Sequence, residues 1–293
     1  MFKVKKGEKM ENIYNETKFL MKKYGITANK KLGQNFLINE DVIETIANTS
    51  EITKDDLVIE IGPGLGTLTA KLLEKAGKVI CVELDERMLS ILKDRFFMYK
   101  NFEIINEDIL KVDLNKLIKE NKEKEQIKNV KIVANLPYYI TTPIIMKLLE
   151  DKIDIKSITV MIQKEVADRL TAIPGERNSG AITYTVYYYA TAKEVLTVQN
   201  TSFIPEPEVA SEVIKLTLRE EPIVKVKDEK RFFELIKVAF MQRRKTLLNA
   251  IGNSNIGVTK ENMENILKTL NIDVKVRGEA LSIEQFAAIS NEI

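Results

Sequence analysis

Leu57-Val58-Ile59-Glu60-Ile61-Gly62-Pro63-Gly64-Leu65-Gly66-Thr67 decides the fold. The apolar run at its start reads as a buried strand. Three glycines follow, interrupted by Pro63, and then a helical pattern runs through Ala76. The unit is therefore strand, glycine turn, helix. Glycine permits the tight turn and lets a ligand approach bare backbone. The spacing is G-x-G-x-G, and Thr67 fills the place where the dinucleotide fingerprint G-x-G-x-x-G needs its last glycine. That argues against a nicotinamide dinucleotide.

Working outward, each following strand ends in a polar residue. Residues 79–82 form a second strand ending at Glu83-Leu84-Asp85. An acidic residue at that tip, roughly 20 residues past the turn, can accept both hydroxyls of a ribose. Glu83 takes this role, and Asp85 caps the next helix. A third strand, 102–106, runs into Glu107-Asp108. Asp108 is placed to accept from an adenine amino group; the alternative is an ordinary turn carboxylate. A fourth strand, 130–134, leads to Asn135-Leu136-Pro137-Tyr138, and Thr141-Thr142-Pro143 starts the helix after it. Open α/β sheets bind ligands at such strand ends. Asn135 offers one carbonyl oxygen and two donors. Pro137 fixes its own φ, and Tyr138 offers a flat face. Together they suit an exocyclic amine on a planar ring. The plainer reading is an Asn-x-Pro turn closing a strand.

Composition narrows the chemistry. With 293 residues, 44% hydrophobic and 30% charged, the chain reads as a soluble globular protein of one large domain or two. No apolar run is long enough to span a bilayer, and the N-terminus lacks the apolar core of a signal peptide. The single cysteine, Cys81, excludes an internal disulfide and fits a reducing cytoplasm. There is no histidine, so a Ser-His-Asp triad is impossible and a metal would need carboxylates alone. No metal is expected. Residues 1–40 hold nine Lys against four Glu, a local +5, which is compatible with phosphate backbones.

Residues 1–14 read as weakly ordered, and 16–23 as a short helix ended near Gly25. Lys30-Lys31-Leu32-Gly33-Gln34-Asn35-Phe36-Leu37 reads as a structured, ligand-facing segment, or else a surface turn; Asn39 could cap the helix after it. A fifth strand spans 157–162. Residues 181–190 carry Tyr184, Tyr187, Tyr188 and Tyr189 and fit helix or strand; a helix capped at Ser179, its rings packed on the sheet, is favoured. Strands 194–198 and 209–218 flank Phe203-Ile204-Pro205-Glu206-Pro207, where Phe203 is either a second aromatic facing a base or a plug at a strand end. From about 220, helices dominate: 232–251, 260–270 and 283–293. Arg243, Arg244 and Lys245 group on the first of these as a phosphate-binding face.

Five segments then carry a resemblance: Leu32-Gly33-Gln34-Asn35-Phe36-Leu37, Glu60-Ile61-Gly62-Pro63-Gly64-Leu65-Gly66, Asn135-Leu136-Pro137-Tyr138, Phe203-Ile204-Pro205-Glu206-Pro207, and Gln242-Arg243-Arg244-Lys245-Thr246-Leu247. In this order, over about residues 28–290, the chain resembles the bacterial small-subunit ribosomal RNA adenine dimethyltransferases. Tyr139 departs from the Asn that many members carry there. The resemblance implies a Rossmann-like, seven-stranded S-adenosylmethionine methyltransferase sheet with a small C-terminal helical domain. The expected division is a basic extension at 1–27, a methyltransferase domain at 28–219 and a helical RNA- or ribosome-binding domain at 220–293. The expected cofactor site is Asn35, Leu37, Gly62, Gly64, Glu83, Asp108 and Asn135. Catalysis is expected at Asn135, Leu136, Pro137, Tyr138 and Phe203, and RNA contact at Lys30, Lys31, Arg243, Arg244 and Lys245. The implied partner is small-subunit rRNA in an immature 30S particle, met by a cytoplasmic monomer. The alternatives are a macrolide-resistance methyltransferase acting on large-subunit rRNA, and an assembly factor that uses the fold for binding.

Overall fold

In the computed structural model, which describes residues 13–29 and 32–293, the apolar runs become neighbouring strands of one sheet. Helix α1 (Ile13–Lys23) precedes a two-residue strand β1 (Phe36–Leu37) and α2 (Glu40–Thr49). Alternation follows: β2 (Asp56–Ile61), α3 (Thr67–Lys75), β3 (Lys78–Glu83), α4 (Glu86–Phe96), β4 (Phe102–Asn106), α5 (Leu114–Lys124), β5 (Asn129–Asn135), α6 (Thr141–Glu150), β6 (Ser157–Gln163) and α7 (Lys164–Thr171). Then come α8 (Ala181–Tyr189), β7 (Ala190–Val198), β8 (Phe203–Ile204) and β9 (Ser211–Leu218). Helices α9 (Glu229–Met241), α10 (Leu247–Gly252), α11 (Lys260–Thr269) and α12 (Ile283–Glu292) close the chain.

The seven-stranded sheet has the order β4-β3-β2-β5-β6-β9-β7. The chain builds outward from β2 to β4, then returns to lay β5 on the other side of β2. That reversal is a topological switch point, where open α/β sheets bind ligands. Strands β3 and β5 both run parallel to β2, and the pairs Ile61↔Val82, Glu83↔Asn106 and Ile61↔Ala134 bring their carboxyl ends to one edge. Leu57, Val58 and Ile59 are fully buried, as a parallel strand covered on both faces requires. Asn39 and Asp85 cap α2 and α4 as the sequence predicts, accepting from Val42 N at 3.3 Å and Arg87 N at 3.1 Å.

The chain falls into two compact units. One comprises the residues up to Lys164 with Glu194–Lys215; the other comprises Glu165–Lys193 with Leu216–Ile293. This differs from a single cut near 220, because α8 belongs to the helical core. Tyr184 is fully buried, edge-on to Phe286 at 5.1 Å, and donates to the Leu281 carbonyl at 2.5 Å. Tyr188 sits 5.3 Å from Phe232. Burial pushes both phenols up to about 12. These rings therefore line a helical core, where the sequence favoured packing on the sheet. The cap also moves by one residue: Gly180 starts α8, with its N–H donated to Thr183 Oγ1 at 2.9 Å.

The helix expected over 232–251 is broken. Gln242 leaves helical geometry at φ −128°, ψ 57°. Lys245 N donates back to the Gln242 carbonyl at 2.8 Å, and Thr246 restarts the chain as α10 by accepting from Asn249 N. Arg243, Arg244 and Lys245 thus stand on a turn, not on an amphipathic helix. Helix α1 starts at Ile13, inside the stretch read as weakly ordered; residues 1–12, and with them part of the expected extension, lie outside the described residues. Lys30 and Lys31 lie outside them too. Strand β7 begins at Ala190, earlier than 194, and β9 at Ser211, later than 209. No helix among the described residues is long and apolar enough to cross a membrane.

Candidate active site

A cleft open to solvent, with about 1040 Å³ of empty space in and above it, lies at the switch point, and the glycine turn, the strand tips and the segment before β1 line it. Pro63 and Gly66 close the turn through a 2.9 Å hydrogen bond, and Gly66 caps α3 at φ +80°. A Cβ at Gly66 would lie 2.7 Å from Phe96 Cε2, so both conformation and packing demand glycine there.

Glu83 ends β3 beside this turn. Its Oε2 accepts from Gly64 N at 3.1 Å and its Oε1 from Asp85 N at 2.8 Å. Each oxygen keeps a lone pair for a hydroxyl. Burial raises the Glu83 pKa, and the two backbone N–H groups oppose that rise. Asp85, from which the sequence asked only a cap, also holds Arg87 and accepts from Gln34 Nε2 at 2.7 Å. That pins the segment before β1 to the start of α4.

Asn135 ends β5. Its side-chain N–H donates to the Asn35 carbonyl at 3.2 Å, which leaves Oδ1 as an acceptor. The backbone beyond it is equally specified. Leu136 N donates to the Met161 carbonyl at 3.1 Å. The Pro137 carbonyl accepts from Ile140 N at 3.3 Å and Thr141 Oγ1 at 3.1 Å. Among the described residues, none donates to the Leu136 carbonyl. Tyr138 is half-buried, and its hydroxyl shares a 2.6 Å hydrogen bond with Ser211 Oγ that fixes the ring.

Asn35, Leu37, Gly62, Gly64, Glu83, Asp108, Asn135, Leu136, Pro137 and Tyr138 all line this one cleft. Phe203 does not. It is 2% exposed within the apolar core that also contains Phe36, Leu37, Val198 and Val213. Its strand β8 pairs with β1 through Leu37↔Phe203, and the burial of the ring favours the plug at a strand end over a face offered to a base. Sequence reasoning gave no role to Glu60 or to Ser211. Tyr139, 55% exposed on the cleft wall, it noted only as a departure. Its place after the tetrapeptide was a usable signal. Ser211 had none, standing 73 positions from Tyr138. Arg243 pairs with Glu279 at 3.2 Å and donates to the Arg177 and Ser179 carbonyls, while Arg244 and Lys245 are exposed.

Glu60, Glu83, Glu107 and Asp108 line the cleft, and no Lys or Arg does among the described residues. A negative cleft favours a cationic ligand and disfavours the pyrophosphate of a dinucleotide. The residues present therefore fit S-adenosylmethionine, whose sulfonium is a cation. Burial is the main cause that pushes the Glu60 carboxyl up to about 7, with the Glu83 charge adding to it and the hydrogen bond from Cys81 Sγ opposing it. As pH climbs from 4.5 to about 7, the unfolded chain releases this proton and the folded cofactor-free chain keeps it. Stability should fall across that window and level off above it. Glu60→Gln cannot ionise, so its advantage over wild type should grow by on the order of 3 kcal/mol between pH 4.5 and pH 8. Urea unfolding of both proteins measures this, and a gap independent of pH would contradict it.

The sheet order, the glycine turn and a carboxylate at the second strand's tip together define an S-adenosylmethionine-dependent methyltransferase. The chain belongs to the ribosomal RNA adenine dimethylase family, whose profile matches residues 25–293. It is 50% identical over 278 residues to a ribosomal RNA small subunit methyltransferase A of Bacillus pumilus, covering 94% of each chain. To the protein of that name from Clostridium botulinum it is 50% identical over 275 residues, covering 94% of this chain and 97% of that one. A crystal structure of a dimethyladenosine transferase from Plasmodium falciparum superposes with a TM-score of 0.72 at 28% identity, over 87% of this chain and 95% of that one. The 23S rRNA methyltransferase ErmE shares the fold, with a TM-score of 0.66 at 24% identity over 88% of this chain and 99% of that one.

Proposed function

We propose that the protein dimethylates N6 of two adjacent adenosines in the 3′-terminal hairpin of small-subunit rRNA. In this reading it acts as a cytoplasmic monomer on an immature 30S particle. The observation that carries it is the Asn135 side chain, held through its N–H by the Asn35 carbonyl so that Oδ1 is the acceptor left. S-adenosylmethionine supplies an activated methyl group on a sulfonium, and Glu83, Asp108, Gly62, Gly64, Asn35 and Leu37 would hold it.

An adenine N6 is a poor nucleophile because its lone pair is delocalised into the ring. Asn135 Oδ1 and one backbone carbonyl would accept the two amino hydrogens and turn the lone pair out of the ring plane. From sequence, the Leu136 and Pro137 carbonyls compete for the second role. The Pro137 carbonyl already accepts two hydrogen bonds, which favours Leu136. Tyr138, fixed by Ser211, would stack on the base after it leaves the RNA stack. Orientation alone can supply roughly 7–11 kcal/mol, so the chemistry requires no strong base. A chain without histidine agrees with that.

Labelled S-adenosylmethionine should mark unmethylated small subunits as dimethyladenosine, read by nucleoside mass spectrometry, and leave protein-free large-subunit RNA unmarked. Label on the large-subunit RNA alone would assign the enzyme to that RNA. Cofactor binding without label on either would make it an assembly factor.

A further inference from the structure

Helix α1 ends before residue 25, where the family match begins, yet it is tied to the floor of the cleft. Arg95 on α4 is the link. Its guanidinium donates through one nitrogen to Glu16 Oε1 at 2.6 Å and through the other to the Leu65 carbonyl. The Arg95 side chain is 12% exposed and lies 5.3 Å over the Phe96 ring, the same ring that packs on Gly66. Leu65 is itself buried and lines the cleft between two glycines with positive φ, Gly64 and Gly66. A turn of that composition has little intrinsic stiffness, because glycine backbones have the most freedom to lose. A carbonyl in its middle that accepts from a charged donor is therefore a point where its shape is set from outside.

We propose that α1 is a working part of the cofactor site: Glu16 holds Arg95, and Arg95 holds the glycine turn in its cofactor-binding shape through the Leu65 carbonyl. Glu16 and Arg95 are positioning residues, since neither lines the cleft. The inference rests on reading the cleft as the S-adenosylmethionine site.

A second tie between the same elements provides the control. Lys23 at the end of α1 pairs with Asp94 at 3.2 Å, and the Tyr24 hydroxyl also donates to Asp94, but nothing leads from there to the turn. Glu16→Ala should raise the Kd and the KM for S-adenosylmethionine about fivefold. It should leave kcat at saturating cofactor and the KM for the small subunit unchanged. Glu16→Gln keeps an acceptor, so its rise should be smaller, about twofold, and it carries the test should the alanine variant fail to fold. Asp94→Ala should loosen α1 and leave the cofactor Kd where it was. Titration calorimetry with S-adenosylmethionine reads the first of these values and steady-state kinetics the others. An unchanged Kd in both Glu16 variants overturns the brace, as does an Asp94→Ala rise equal to that of Glu16→Ala. Wild-type protein that takes up no S-adenosylmethionine overturns the reading of the cleft itself, and the brace with it.

Discussion

Replacing Asn135 by alanine should slow methyl transfer by about 10²–10³-fold, the scale seen when one preorganised hydrogen-bonding group is removed from a reacting centre. The structure gives the reason. Asn135 ends β5 with its side-chain N–H committed to the Asn35 carbonyl, so its oxygen is presented at low entropic cost. Alanine removes the acceptor that would hold an amino hydrogen and leaves a backbone carbonyl, Leu136 or Pro137, to act alone. The cofactor keeps Glu83, Asp108 and the glycine turn, so its Kd should rise only a few-fold. Single-turnover rates and calorimetric titration separate the two effects. Full turnover in the variant would remove Asn135 from the chemistry.

Phe203→Ala should cost about 3–5 kcal/mol of folding stability, the usual range for emptying a buried aromatic site. The ring is 2% exposed in the core shared with Phe36, Leu37, Val198 and Val213. Phe203→Leu nearly conserves volume and should cost under about 1.5 kcal/mol. The leucine variant is the informative one. A stacking platform cannot be replaced by leucine, and losing it would raise the KM for the small subunit by the roughly 1–3 kcal/mol of one stacked base. A core plug can be replaced. Urea midpoints together with that KM decide it: a stable leucine variant with an unchanged KM confirms the plug, whereas a stable one with a raised KM returns Phe203 to the base.

Much of this was legible because strands β2 to β6 run parallel. Strands covered on both faces read as near-continuous apolar runs, so β2, β3, β5 and β6 stand out, and the direction they share with β4 gathers the strand-end polar residues at one edge. Reading Glu83, Asp108 and Asn135 as one site needed nothing beyond that topology. What was not legible depended on partners distant in sequence. The burial of Phe203 is decided by Leu37, and that of Tyr184 by Phe286 and Leu281. The break at Gln242 was hidden for another reason. Apolar residues continue through Leu247 and Ile251 beyond it, and the interruption rests on a threonine cap that looks like any surface threonine.

The pairing of β1 with β8 sets a schedule for the ribosome that makes this chain. Phe36 pairs with Ile204, and Ile38 N and the Asn39 side chain both bond to Ser202. The wall carrying Asn35 is thus secured by residues that emerge long after it, at the entropic cost of closing a very long loop. A nascent chain can assemble β2, β3 and β5 and still lack this wall. The ability to capture cofactor therefore arrives late in synthesis, close to the moment when the methyltransferase unit is complete.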